Sequence, residues 1–361
     1  MHSDSNDFHE KMRAILNYGS LNLAMGLGYR VGLFDVMDAL NRPCSVDEIA
    51  QAANLSRRYV QEWLGVMVCG GIVELVHSSD GQPRFLLPAT HGDVLARRAG
   101  GNNLGVYTQE IPLLTASVME QVYQGFLNGS GISYAHYPRF HDFMAQLADA
   151  KHRQVLVDCF LPSVDQGRLI QALQQGIDVC DLGCAHGVAA LLMAEAFPAS
   201  RFTGIDINAE ALEAARAKAR DKGLPNVLFQ QRDGADLAQT NELCGRFDYI
   251  TAFDAIHDQT RPLEALQGVY GLLRDGGAFS MVDIAAESDI DGNRDHPMGP
   301  FLYTVSLMHC MPVGLEGGGA GLGMMWGRQL AEAMLQQVGF TQVTVTEIPN
   351  DPFNLHFFCK K

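Results

Sequence analysis

The chain is 361 residues long, more than one hydrophobic core comfortably organises, and is read as two domains. With 47% apolar and 19% charged residues and no tract rich in Ser, Pro, Gln or Glu/Lys, its composition excludes a largely disordered protein. A formal net charge of -15 disfavours a polyanionic partner, because nucleic acids and anionic lipids are held by clustered Lys and Arg.

The N-terminal stretch MHSDSNDFHEKM has neither a basic n-region nor an apolar h-region, and no uninterrupted apolar run is long enough to span a bilayer. A soluble, cytoplasmic protein is expected. The eight cysteines, at 44, 69, 159, 180, 184, 244, 310 and 359, form no CxxC pair, so free thiols in a reducing compartment are expected.

In SVDEIAQAANLSRRYVQEWLGVMVCGGIVEL, Ser45 and Glu48 have capping-box spacing, Asn54 to Ser56 make a turn with Ser56 as the next cap, and Gly70-Gly71 end the second helix. The strands IVELVH and RFLLP around Ser78-Ser79-Asp80-Gly81 complete a helix-turn-helix with a wing. Residues 101–172 then connect the two parts with helical, aromatic-bearing sequence.

From about Gly176 short apolar strands alternate with amphipathic helices: GIDVCDL, VAALLMAEAF, RFTGIDI, AEALEAARAKARDKG, VLFQQRD, FDYITAFDAI, PLEALQGVYGLLRDGG, AFSMVDI. That rhythm means right-handed crossovers and a parallel sheet covered on both faces, an α/β doubly wound domain. Asn208 can cap the helix beginning near Ala209, and Gly223 with Pro225 ends it. The rhythm breaks over 286–326, where GPFLYTVSLMHCMPVG reads as a short apolar helix stopped by Pro312. The glycine-rich EGGGAGLGMMWG after it suits a mobile cap over a pocket. A last helix and two strands around Pro349-Asn350-Asp351-Pro352 give the sheet an antiparallel end. The domains are therefore drawn at 1–100, 101–172 and 173–361.

Between the first strand and its helix, DLGCAHG places Gly183, Ala185 and Gly187 where backbone must approach a ligand closely. Asp181, Asp206 and Asp233 end three successive strands, so three carboxylates gather at the edge where doubly wound sheets bind ligands. An acid after the second strand can accept ribose hydroxyls, and one after the third an adenine amino group. Asp181 would repel a pyrophosphate but suits an ammonium group. Together with Val188 at the third-glycine position, this weakens a nicotinamide reading. The ligand so described is an adenosyl group with an amino-acid tail, as in S-adenosylmethionine. Ile207 and Gly234, next to two of the acids, and Asp254 at the end of the fourth strand complete the cofactor-binding candidates.

Through DLGCAHG, GIDINAEAL, QQRDGADL and LLRDGGAFSMVD the segment from about Asp178 to Lys360 resembles the class I S-adenosylmethionine-dependent methyltransferases, with Ala185 where the family usually has glycine. The resemblance implies a seven-stranded, mostly parallel sheet. His257-Asp258, at the end of the fourth strand, resembles the LHDW segment of small-molecule O-methyltransferases, in which the histidine is the general base; Gln259 stands in place of the tryptophan. Those enzymes carry an N-terminal winged helix for dimerisation, similar to LGYRVGLFDVMDAL and SVDEIAQAANLSRRYVQEWL here, which implies a homodimer. Imidazole titrates near neutrality and can take a hydroxyl proton as the methyl group arrives. Asp258 either orients that imidazole or caps the following helix.

Tyr134, Tyr303 and His309 are the candidates for the acceptor pocket; adjacent helical residues diverge, so His309 and Cys310 are not expected to face it together. Packing is the expected role of Phe140, which stands close in sequence to Tyr134, Tyr137 and His141. No metal is expected, since the histidines lack ligand spacing. The attacking atom is open between O, N, S and C. A ligand-sensing regulator reading DNA through Arg57-Arg58 is opposed by the net charge and by the Trp63, Leu64 and Met67 packing stripe.

Overall fold

The computed structural model describes residues 2–79, 81–137, 140–349 and 351–361. It divides into two compact units, Met1–Leu113 and Leu114–Lys361. Among the described residues no helix is long and apolar enough to cross a membrane.

In the first unit a long helix, His2–Arg30, is followed by helices Leu33–Leu40, Val46–Ala53 and Arg57–Cys69. The strands β1 (Glu74–His77) and β2 (Pro83–Leu86) then pair antiparallel as the wing. Asp80, in the wing turn, lies outside the described residues. The Ser45 hydroxyl accepts from the Glu48 N–H and the Glu48 carboxylate accepts from the Ser45 N–H at 2.8 Å, so the capping box forms as its spacing predicts. Ser56 stands at the next cap position without a side-chain bond, at an exposed helix end. Trp63, Leu64 and Met67 are buried, and the Trp63 indole donates to the Ala24 carbonyl at 2.9 Å. The stripe faces the core, where each filled apolar position contributes roughly 1.5–3 kcal/mol.

The second unit is built on β3 (Asp178–Leu182), β4 (Arg201–Asp206), β5 (Val227–Gln231), β6 (Phe247–Phe253), β7 (Leu273–Ile284), β8 (Gln342–Ile348) and β9 (Asp351–Lys360). Their spatial order is β5-β4-β3-β6-β7-β9-β8. The first five run parallel, and β9 is antiparallel to both β7 and β8. The two-residue connection after β8, in which Asn350 lies outside the described residues, leaves no room for a crossover. Successive residues of one strand pack into different layers: Tyr249 joins Val179, Met193 and Phe202 on one face, and Ile250 joins Leu266, Phe279 and Phe357 on the other. A sheet buried on both faces is why these strands read as nearly continuous apolar runs. Asn208 caps Ala209–Asp221 by accepting from the Ala211 N–H, and Gly223 follows at φ 64.

The cap differs from expectation at Pro312, which does not stop the helix. Gly299–Val305 runs on through a π-helical turn, Ser306–Cys310, into Met311–Gly314. The proline has no N–H for the Met308 carbonyl, and the Tyr137 hydroxyl donates to that carbonyl at 2.9 Å instead. The glycine-rich stretch packs back on the chain, with the Ala320 N–H donating to the Thr260 carbonyl at 2.8 Å.

Candidate active site

Parallel pairing sets the carboxyl ends of β3, β4 and β6 side by side. Gly183 and Gly187 both have φ of 70, and a side chain at Gly187 would run into the Phe229 ring. Ala185 adopts φ 44, the left-handed conformation that glycine accepts without strain, which gives the physical reason for the small residue there. Its N–H donates to Asp206 Oδ2 at 2.8 Å, and the Asn208 N–H donates to Oδ1 at 2.8 Å. Two backbone N–H groups thus hold the carboxylate in place at the end of β4.

Asp181 is buried opposite Thr251, whose hydroxyl donates to its Oδ1 at 2.8 Å. Burial pushes the Asp181 carboxyl up to about 7, against the hydrogen bond from Thr251. Asp233 caps a short 3-10 turn through the Ala235 N–H and pairs with Arg261 at 3.0 Å. Ile207 is exposed, and Gln259, in the place of the family tryptophan, lies against Gly234. Asp254 is turned toward Lys151, 3.4 Å from its Oδ2.

At the end of β6, His257 is 2% exposed, with Nδ1 2.7 Å from Asp283 Oδ1 and Nε2 3.5 Å from Asp258 Oδ1. Burial opposes the imidazolium, yet the charges of Asp283 and Asp258 outweigh it and raise the imidazole well above its ordinary value. Asp258 stands beside Nε2 and does not cap the following helix. Asp283 orients Nδ1, and the helix Pro262–Leu272 has Arg261 at its cap position. Sequence reasoning missed Asp283; the available signal was an acid inside the apolar run AFSMVDI.

The cap and the connector converge on this pair. The Tyr134 hydroxyl donates to Asp258 Oδ2 at 2.9 Å, and His309 Nδ1 lies 3.9 Å from the same oxygen. His309 is ringed by Tyr134, Tyr137 and Phe140, with Phe140 centred 4.2 Å away. Cys310 Sγ is 3.5 Å from His309 Nδ1, and it lies with donor atoms of His257 and Asp258 in a group whose members are within 4.8 Å of one another. Both neighbours thus reach one cluster, against expectation, because the wider π turn brings adjacent side chains closer in direction than an α-helix does. Tyr303 packs apart with Leu302 and Met325, its hydroxyl 3.2 Å from Asn293 Nδ2. The His141 side chain lies outside the described residues.

A family described as Methyltransferase domain matches residues 173–298, and one described as Rv2258c-like winged HTH domain matches residues 19–97. The ubiquinone biosynthesis O-methyltransferase of Actinobacillus pleuropneumoniae serotype 5b is 34% identical over 106 residues, which are 29% of this chain and 44% of that protein. The chain thus spans less than half the length of the relative it matches. Human N-acetylserotonin methyltransferase, solved in complex with SAM, superposes with a TM-score of 0.72 at 14% identity, covering 98% of this chain and 97% of that one. An O-methyltransferase family protein from Burkholderia thailandensis gives 0.67 at 14% identity, covering 100% and 98%. The two superpositions establish a common fold.

Proposed function

We propose, for a chain that carries a class I methyltransferase domain together with a winged-helix domain, that it moves a methyl group from S-adenosylmethionine to a hydroxyl of a small, partly apolar acceptor. One observation carries the oxygen-acceptor reading: Asp283 holds Nδ1 of the buried His257 at 2.7 Å, which leaves Nε2 as the proton-accepting atom.

The residues at the strand ends suit the cofactor. Asp206 is a carboxylate, the group that accepts from ribose hydroxyls, Asp181 is a buried acid for an ammonium group, and Gly183, Ala185 and Gly187 admit close backbone approach. Ile207, Asp233 and Gly234 are assigned to the adenine side; Asp254, the remaining candidate, pairs with Lys151 at 3.4 Å. S-adenosylmethionine supplies a methyl group on a sulfonium, open to in-line displacement. This chain's part is to align the acceptor and remove its proton. His257 would be favoured as the neutral base where the positive charge of a bound sulfonium repelled its imidazolium form. Tyr134 and His309 are assigned to the acceptor side; Tyr303, which packs apart from them, is not.

A homodimer belongs to the same reading. Along His2–Arg30 the exposed residues Phe8, Met12, Ile15, Leu23 and Leu27 recur three to eight positions apart, an apolar stripe that calls for a partner surface. A DNA-reading role finds less support, since Arg57 pairs with Asp47 at 2.7 Å and Arg58 with Glu62.

The test is methyl transfer from labelled S-adenosylmethionine to a panel of phenols, carboxylic acids and amines. His257→Ala is expected to lower turnover roughly 10²- to 10⁴-fold with cofactor affinity nearly intact, and Asp283→Asn to lower turnover by changing the tautomer. Turnover unchanged in His257→Ala removes the base, and transfer to amines alone replaces the oxygen acceptor with nitrogen.

A further inference from the structure

The cap sets a thiol against the imidazole and carboxylate just described. His257, Asp258 and Cys310 each offer one donor atom, and the three atoms lie within 4.8 Å of one another. The thiol lies outside the methyl-transfer scheme and is buried against it.

Two features around the trio are those of an ion site. The Nδ1 of His257 is tied to Asp283 Oδ1, the carboxylate–histidine pairing that fixes tautomer and ring orientation so that Nε2 presents its lone pair. One oxygen of Asp258 is occupied by the Tyr134 hydroxyl, while the buried Oδ1 makes no hydrogen bond and faces Nε2 at ion-pair distance, 3.5 Å. A buried carboxylate oxygen without a hydrogen bond gains from a closer donor or cation.

The donor types narrow the ion. One nitrogen, one oxygen and one sulfur in a compact cluster suit zinc and its spectroscopic substitute cobalt. Magnesium and calcium require shells of oxygen.

We propose that His257, Asp258 and Cys310 form a binding site for a zinc-class divalent cation. Bonds form from Nε2, a carboxylate oxygen and Sγ to the ion, with water in the fourth position. The thiol proton and any proton on Nε2 pass to solvent. Coordination occupies the lone pair that would take the acceptor's proton, so a bound ion and the base exclude each other and the ion inhibits transfer. This consequence rests on the methyltransferase reading, whereas the binding does not.

The test is a titration of Co²⁺ alone into the full chain with the two exposed thiols, Cys69 and Cys244, changed to serine. The expected result is visible bands of a four-coordinate site and a thiolate-to-cobalt charge-transfer band that saturate together at one ion per chain. The charge-transfer band is lost in Cys310→Ser, and Asp283→Asn weakens binding roughly 10- to 100-fold. Circular dichroism melting of each variant, with Cys310→Ala as a second substitution, separates loss of the site from loss of the fold. Absence of a charge-transfer band, or one that persists in both folded Cys310 variants, overturns the proposal. Cobalt bound through Cys310 in a protein that methylates none of the panel upholds the ion site and counts against the methyltransferase reading. Transfer that Zn²⁺ inhibits and a chelator restores upholds both.

Discussion

On the proposed reading, Asp181 carries the pH dependence of cofactor binding. Its carboxyl is held near 7 by burial, so below that pH it is neutral and cannot pair with an ammonium group. Affinity for S-adenosylhomocysteine should therefore rise with pH, by roughly tenfold per unit on the acid side of 7, and Asp181→Asn should both weaken binding and flatten the profile. A flat wild-type profile in calorimetry would show that the ammonium lies elsewhere. At this scale the residues at strand ends were legible, because Asp181, Asp206 and His257 each follow an apolar run that marks the edge of the sheet. Asp283 was not, since its meaning depends on His257, brought beside it by the pairing of β6 with β7. The Cys310 contact was hidden for a similar reason: it depends on a π turn that the apolar pattern of the cap does not encode.

Among the elements, the cap helix depends on a bond from outside itself. Replacing Tyr137 with Phe leaves the Met308 carbonyl buried beside a proline that cannot serve it, at a cost of about 1–3 kcal/mol. Denaturant melts should detect that loss, and equal stability of wild type and Tyr137→Phe would mean that water reaches the carbonyl. The alternating strands and helices of the second unit were readable because period and punctuation agree there. The helix His2–Arg30 was not, although it is the longest element described. Its interior contains Gly19, Gly26 and Gly28, which read as breakers; in the fold Gly28 lies where the Trp63 ring leaves no room for a side chain. Its apolar residues are also largely exposed within one chain, so they do not mark a core face.

For the whole molecule, that exposed stripe predicts self-association. Sedimentation at low micromolar concentration should give a dimer, and Ile15→Glu with Leu23→Glu should give a folded monomer. A monomeric wild type would contradict this. The sheet topology was legible in outline, since one antiparallel strand at the end of a parallel series follows from a connection too short to cross over. The acceptor was not, because the residues proposed to face it come from the connector and the cap, which meet only in the fold. The central claim is that the strand-end acids hold an adenosyl group with an amino-acid tail. Calorimetric titration of S-adenosylhomocysteine into the wild type and into Asp206→Asn, with NADH as control, tests it most directly. Micromolar binding by the wild type, lost on substitution and absent for NADH, is the predicted result; a wild type that ignores S-adenosylhomocysteine, or binds NADH instead, would contradict it.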